Sequence, residues 1–292
     1  MVKITDIFNK QPRTFSFEFF PPRDEISAVD FGINIGQLLK LRPSFITVTY
    51  GAGGSTRERT FSLVDYLQNK IGMPTMAHYT CVEASRKKIE TDIKQLEEIG
   101  IENLMLLRGD PPGKEEKFVP HPEGFKYASE LISHVKQMGD FCIGGAAYPE
   151  KHPESPDIQS DLSNLLTKVK AGADFLVTQF FFSNDAYFSF VKQARKLGIQ
   201  KRIIPGIIPI TNYRQIKKFL SLSDAELPGK LKNELEEHKD KPSAIYRLGV
   251  EYSIAQCHDL LERGAPGIHF YTLNKSRASV EIFESLKYDY IP

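Results

Sequence analysis

Apolar and polar positions along the chain switch repeatedly between a period of two and a period near 3.6. The first such stretch is Thr14-Phe15-Ser16-Phe17-Glu18-Phe19-Phe20-Pro21-Pro22, where phenylalanines alternate with polar residues until two prolines end any ladder. It predicts a strand closing on Glu18 and Phe19, preceded by a short helical lead-in over the first ten or so residues. Further strands are predicted at Phe45–Thr49, Thr75–Tyr79, Asn103–Leu107, Cys142–Ala146, Phe175–Thr178, Ile203–Gly206 and Gly267–Phe270, where β-branched and apolar residues cluster. Helical periodicity fills the gaps. It covers Ala28–Leu41, a segment capped by Ser55 or Thr56 and ending at Gly72, and one capped by Ser85 and stopped by Gly100. It also covers Tyr127–Gln137, Asn184–Leu197, Gly249–Arg263 and a last helix from about Arg277. Ser155-Pro156-Asp157 reads as a helix start with Ser155 as cap and Pro156 at the first position. The charged stretch Ser221–Lys241 reads as a helical excursion on the surface.

Helix-stopping glycines at Gly72, Gly100, Gly139, Gly172 and Gly198 recur at the spacing of one strand–helix unit. Eight strands alternating with helices predict an α/β fold, a (β/α)8 TIM barrel with extra helices, as one domain over residues 1–292. A doubly wound sheet is the alternative, and eight units would make it unusually wide.

A length of 292 residues supports a substantial core, and a net charge of +1 offers no basic face for nucleic acid. Cys81, Cys142 and Cys257 are isolated from one another, as in a reducing compartment. No apolar run is long enough to span a bilayer, and the N-terminus lacks a cleavable apolar core. The expectation is a soluble cytoplasmic protein with small-molecule partners, without nucleic acid or membrane.

In a barrel, active sites lie at the carboxyl ends of the strands. Glu18, Thr49, His78, Arg108, Asp110, Tyr148, His152, Gln179, Tyr271 and Lys275 all fall there, more polar groups than strand-end loops require. The reading is an enzyme. A carboxylate among four phenylalanines is costly to ionise, so Glu18 is expected to titrate high and to suit proton donation. An edge strand with Glu18 in solvent accounts for this stretch equally well. Gly51–Thr56 could cradle a phosphate but has neither dinucleotide-binding nor Walker spacing, which favours an ordinary loop. Glu18, His78 and Asp110 lack metal-ligand spacing, so no metal is expected. Asp161, Asn164 and Lys168 share one helical face, by default a solvated stripe, although Lys168 could meet a phosphate. Gln215 and Phe219 also share a face, and Gln179 before three phenylalanines is either a core strand end or one amide in an apolar wall.

The segments Phe15–Arg23, Leu107-Arg108-Gly109-Asp110-Pro111, Ala147-Tyr148-Pro149 with His152-Pro153-Glu154, Thr178–Phe182 and His269–Asn274 resemble, in order, the motifs of methylenetetrahydrofolate reductases. The resemblance implies a barrel containing non-covalent FAD that reduces 5,10-methylenetetrahydrofolate to 5-methyltetrahydrofolate with NADH or NADPH, within one-carbon metabolism and methionine synthesis. It implies Glu18 as general acid and Asp110 beside the flavin. Around FAD it puts Thr49, Tyr50, His78, Arg108, Gly109, Asp110, Tyr127, Ala128, Ala146, Tyr148, His152, Asp161, Asn164 and Lys168. Folate would be held by Glu18, Gln179, Gln215, Tyr271 and Lys275, with Phe219 on the face shared with nicotinamide. One face serving two substrates implies a ping-pong cycle, and the family analogy implies a homo-oligomer.

Two features depart from the family pattern. Arg usually follows the Tyr-Thr-Leu-Asn run, and here Lys275 stands there, which removes the bidentate fork suited to a glutamate carboxylate. Weaker polyglutamate recognition is expected, with Arg277 as a substitute cation. The sequence also ends just after the last helix, so the regulatory domain of eukaryotic members, and inhibition by S-adenosylmethionine, are not expected. A barrel lyase using a metal or a Schiff base, and a non-catalytic binding barrel, are the competing readings.

Overall fold

The computed structural model describes residues 2–50, 57–111 and 118–290. Nine parallel strands form one sheet with the order β7-β6-β5-β4-β3-β2-β1-β9-β8. They are β1 (Thr14–Phe19), β2 (Phe45–Val48), β3 (Thr75–Thr80), β4 (Asn103–Leu107), β5 (Cys142–Ala147), β6 (Phe175–Thr178), β7 (Arg202–Ile204), β8 (Gly206–Ile207) and β9 (Gly267–Tyr271). The segments β7 and β8 are one predicted strand cut at Pro205, which has no N–H to give to a ladder. The first half pairs with β6 and the second with β9, so the chain through Pro205 closes the ring. The Pro205 carbonyl still accepts the His269 N–H at 2.9 Å. The result is the expected (β/α)8 barrel.

Eleven helices accompany the strands among the described residues. The amino-terminal helix α1 (Ile4–Lys10) plugs the bottom of the barrel. Ile4, Ile7 and Phe8 pack on an interior layer of Phe45, Met76, Met105, Cys142, Phe175 and Ile204. Phe8 meets Phe175 edge-on at 5.0 Å, and the Ile4 N–H donates to Asn103 Oδ1 at 2.8 Å. Gly144 leaves room for this layer, because a Cβ there would stand 3.0–3.2 Å from Met105, Met76 and Phe175. The interior layer at the bottom is therefore apolar and covered by α1.

All six residues of β1 are buried, which is what a strand covered on both faces requires. Phe15, Phe17 and Phe19 point outward to the helices: Phe15 and Phe17 meet Phe283 at 5.6 and 5.7 Å, and Phe19 meets Phe31 at 5.8 Å. Ser16 and Glu18 then face the barrel interior by the period of two. Glu18 is consequently not surrounded by the phenylalanines beside it in sequence. The edge-strand alternative also fails, since β1 pairs with both β2 and β9.

Several helix boundaries differ from the sequence expectations. Helix α2 (Glu25–Leu39) begins earlier, because Asp24 and Ser27 form a reciprocal capping pair. Helix α3 (Arg57–Asp65) runs into a π-helical turn, Tyr66–Lys70, before Gly72 reverses the chain at φ +77°. Its expected caps Ser55 and Thr56 lie outside the described residues, as does the Gly51–Thr56 loop. Helix α4 (Arg86–Glu98) is capped by Ser85, and α5 (Ala128–Met138) and α7 (Asn184–Lys196) also fall where expected. Helix α6 (Ile158–Lys170) is capped by Asp157, while Ser155 donates its hydroxyl to Asp161 at 2.9 Å instead. Within Ser221–Lys241 only α9 (Gly229–Glu237) is helical, following α8 (Tyr213–Leu220). Helix α10 (Pro242–Glu262) starts seven residues before Gly249 and α11 is Arg277–Tyr290. Gly249 lies inside α10 because the helix crosses the Ile210 carbonyl, which a Cβ would approach to 1.8 Å.

Candidate active site

Glu18 stands on the top interior layer and is 8% exposed. In the parallel register it lies opposite Thr47 on β2 and Tyr271 on β9. Two imidazoles approach the same carboxylate oxygen: His78 Nε2 is 3.6 Å and His269 Nε2 3.7 Å from Glu18 Oε2. His78 is buried, and that burial lowers its pKa to about 4 against the opposing pull of Glu18. It is a neutral ring at pH 7, with a buried Nε2 that makes no hydrogen bond. His269 is 1% exposed and its Nδ1 bonds Ser16 Oγ at 2.8 Å.

Tyr271 packs edge-on against His269 at 5.1 Å and donates its hydroxyl to the Thr178 carbonyl at 2.6 Å. Burial, then the nearby Glu18 and Tyr148, raise its pKa well above the usual range, so it stays a neutral donor. Two ties hold the loop after β9 over β1. Thr272 Oγ1 donates to the Glu18 carbonyl at 2.6 Å, and the Asn274 amide bonds both polar backbone groups of Phe20 at 2.8 Å. Leu273 and Asn274 take φ of +52° and +58° to make that turn.

On the β4–β6 side, Arg108 makes a forked pair with Glu154, both bonds 2.6 Å, and lies over Phe118 at 4.8 Å. Gly109 follows at φ +90°, where a Cβ would come within 2.9 Å of Val82 Cγ1, so the backbone runs against the β3 loop there. Tyr148 meets His152 edge-on at 4.7 Å. Burial, with Asp110 and Asp161 nearby, pushes the Tyr148 phenol up to about 12. His152 is lowered by burial and by Arg108. Lys168 reaches from α6 to the Ala146 carbonyl, 2.5 Å away, and burial lowers it to about 8 although Asp161 opposes the shift. Asp161 is 8% exposed, so two members of the predicted Asp161–Asn164–Lys168 stripe turn toward the barrel rim while Asn164 is exposed.

Thr49 is tied to β1 through its N–H to the Phe19 carbonyl at 2.9 Å, and its own carbonyl accepts from Thr60. Tyr50 packs on Tyr79 at 5.0 Å, and burial pushes its phenol up to about 12. Gln179 folds back so that its Oε1 accepts the Phe180 N–H at 3.0 Å. Phe180, Phe219 and Tyr271 share a satellite apolar cluster with Ile208, Ile210 and Ile216, and Phe180 and Phe219 lie 6.1 Å apart. Gln215 sits in the first turn of α8, half-buried, with its N–H on the capping Asn212.

Three predicted side chains, those of Tyr127, Lys275 and Arg277, are exposed. Tyr127 is 50% exposed at the start of α5, beside Ala128, with Lys126 over its ring. Lys275 is exposed. Arg277 bonds Glu281 at 3.1 Å and lies over Tyr246 at 4.5 Å, so it is engaged on α10 and α11 rather than free to replace a missing arginine. Conversely, Ser16 and His269 belong to the site and escaped the sequence reading as site residues. The signal was present: each lies two positions before a predicted site residue on the same strand, and so on the same face.

A family model described as methylenetetrahydrofolate reductase matches residues 3–287. The chain is 36% identical over 272 residues to 5,10-methylenetetrahydrofolate reductase of Escherichia coli K12, covering 93% of this chain and 90% of that one. It is 36% identical over 295 residues to methylenetetrahydrofolate reductase (NADH) 1 of Arabidopsis thaliana, covering 97% of this chain but about half (50%) of the plant protein's length. Among solved structures, an uncharacterized Clostridium thermocellum protein that binds two copies of 5-methyl-5,6,7,8-tetrahydrofolic acid aligns with TM-score 0.64 at 15% identity, over 98% of this chain and 99% of that one, a likeness of fold. The site built around Glu18 thus sits in a chain that belongs to the methylenetetrahydrofolate reductase family.

Proposed function

We propose that this chain reduces 5,10-methylenetetrahydrofolate to 5-methyltetrahydrofolate, with FAD as cofactor and NADH or NADPH as donor. The observation that carries the reading is the buried carboxylate of Glu18 at a strand end, facing a neutral, unpartnered imidazole in a barrel of this family. The residues fit a large, partly anionic cofactor. His78 Nε2 and Thr80 Oγ1 are buried polar atoms with no partner, Gly109 keeps the backbone bare, and Arg108 and Lys168 supply cations at the rim. His78, Arg108, Asp110, Tyr148, His152, Asp161 and Lys168 would hold the flavin, with Thr49, Tyr50, Tyr127, Ala128, Ala146 and Asn164 along its edges. Bound there, FAD would supply a two-electron hydride carrier between the nicotinamide and the folate.

Glu18 gives a proton to the leaving nitrogen of the bridging ring as its C–N bond breaks, leaving an iminium cation on the folate. The Asp110 carboxylate favours that cation by its charge. Tyr271, Gln179, Gln215 and Lys275 orient the folate, and Phe219 offers an apolar face to either substrate. Because nicotinamide and folate would use the same mouth, the cycle is ping-pong.

The test is the visible spectrum of the purified protein under anaerobic titration. Flavin absorbance that bleaches with NADH or NADPH and returns with methylenetetrahydrofolate supports both half-reactions and ranks the donors. A protein that stays colourless after incubation with FAD refutes the proposal.

A further inference from the structure

We propose that His269, aligned by Ser16, is the positioning residue of Glu18, and that the two carboxylate oxygens of Glu18 have separate tasks. Oε2 is the anchored oxygen and Oε1 delivers the proton. The inference rests on the reductase reading above and deepens it.

The geometry is asymmetric. Both imidazole nitrogens approach Oε2, at 3.6 Å from His78 and 3.7 Å from His269. Among the described residues neither Glu18 oxygen accepts a hydrogen bond, and Oε2 is the oxygen nearest to each of the two rings. The two rings reach Glu18 from opposite sides, His78 from β3 and His269 from the adjacent β9. His269 is also the more tightly held ring. Ser16 lies directly opposite it in the β1–β9 register and bonds its Nδ1 at 2.8 Å. Tyr271 packs edge-on at 89° and is itself pinned to the Thr178 carbonyl. The ring cannot turn without breaking these contacts, so Nε2 stays aimed at Oε2.

The tautomer follows from charge. If Ser16 accepted a proton from Nδ1, the lone pair of Nε2 would face the carboxylate oxygen, lone pair against lone pair. With the Ser16 hydroxyl donating into Nδ1, the proton sits on Nε2 and faces Glu18. Such an N–H does little for a protonated Glu18 and stabilises the carboxylate that remains after proton transfer. In that step the O–H bond at Oε1 breaks, an N–H bond forms on the folate, and the C–N electron pair moves to that nitrogen. No oxidant is needed, and Glu18 recovers its proton from solvent once per turnover. The groups facing His269 are Ser16, Glu18, Tyr271 and, across Glu18, His78. Glu18 is the one carboxylate paired with it among the described residues.

The proposal is tested in the full chain with two readouts. The first is the ¹⁵N spectrum of labelled histidines without substrate. Recorded at a pH that leaves the ring neutral, His269 is expected as the Nε2–H tautomer, moving toward a mixture in Ser16→Ala. The second compares half-reactions of the flavin-loaded protein. Ser16→Ala is expected to slow folate reduction about 10-fold and His269→Ala about 100-fold, with a shifted pH profile, each several-fold more than it slows nicotinamide oxidation. His269→Gln, which keeps an N–H near the Nε2 position, is expected to recover about 10-fold over His269→Ala. An Nδ1–H tautomer, or a parallel fall of both half-reactions, overturns the proposal. An unmodified protein that never passes electrons to folate refutes the reductase reading instead, and the tautomer measurement still decides the geometry of His269.

Discussion

The side-chain amide of Asn274 pairs with the backbone of Phe20 as a neighbouring strand would, its Oδ1 accepting the Phe20 N–H and its Nδ2 donating to the Phe20 carbonyl, each at 2.8 Å. The pair carries the β1–β9 contact beyond the last ladder residue, to where Pro21 and Pro22 can no longer take part. Glu18 lies just inside this clasp, and its own carbonyl is held by Thr272.

Asn274→Ala removes both bonds and leaves a Cβ residue at φ +58°. A loss of about 2 kcal/mol is expected in urea unfolding, from two modest hydrogen bonds and some backbone strain. Asn274→Gly removes the same bonds without the strain, so it should lose less. Equal losses in the two variants would show that the backbone turn contributes nothing.

His78 dictates a pH dependence of stability. Its pKa falls from 6.5 to about 4 on folding, so the folded state binds fewer protons than the unfolded state between those values. Stability from this group is complete above pH 6.5 and declines as pH falls toward 4, by about 3 kcal/mol in full. His78→Gln should flatten the urea-stability curve across that window. An unchanged slope in the variant would assign the acid sensitivity elsewhere.

Glu150 has the opposite sign. Burial, with Glu226 and Asp224 near, raises its pKa to about 7, while its Oε1 accepts the Glu226 N–H at 3.2 Å and its Oε2 has no partner. Its raised pKa means the folded state holds a proton that the unfolded state has lost above pH 4.5, so stability declines as pH rises through 7. Glu150→Gln keeps the acceptor for Glu226 and removes the charge. At pH 8 it should be more stable than the unmodified chain by about 1 kcal/mol, a figure reduced for partial solvent screening, and indistinguishable from it at pH 4. Thermal melts at the two pH values check this.

Lys275 sits where family members usually carry arginine, and Arg277 is already engaged with Glu281 and Tyr246. Lys275→Arg restores a planar fork for a carboxylate. The KM for a polyglutamylated folate should fall about 3-fold, about 0.7 kcal/mol, with the nicotinamide half-reaction unaffected. Steady-state titration with mono- and polyglutamylated substrates measures it. No change for either would remove Lys275 from folate recognition.

The alternation of strands and helices was legible in the sequence because each period is a local property: two residues per pleat repeat, 3.6 per helical turn. Glu18, His78, Arg108, Asp110, Tyr148 and Gln179 could be assigned to the rim for the same reason, each standing at the end of a predicted strand. Tertiary structure decided what surrounds them. The phenylalanines flanking Glu18 in sequence face the helices, and the two imidazoles that approach it come from strands more than fifty residues away, which no local pattern reports. The same holds for smaller features. Asp157 rather than Ser155 caps α6 because Ser155 is drawn to Asp161, and Gly249 lies within α10 because the Ile210 carbonyl leaves no room for a Cβ. Periodicity settles which face of an element a residue occupies. Only closure of the barrel settles which other faces meet it, since the contacts that orient Glu18 are made across strands brought together by the ring as a whole.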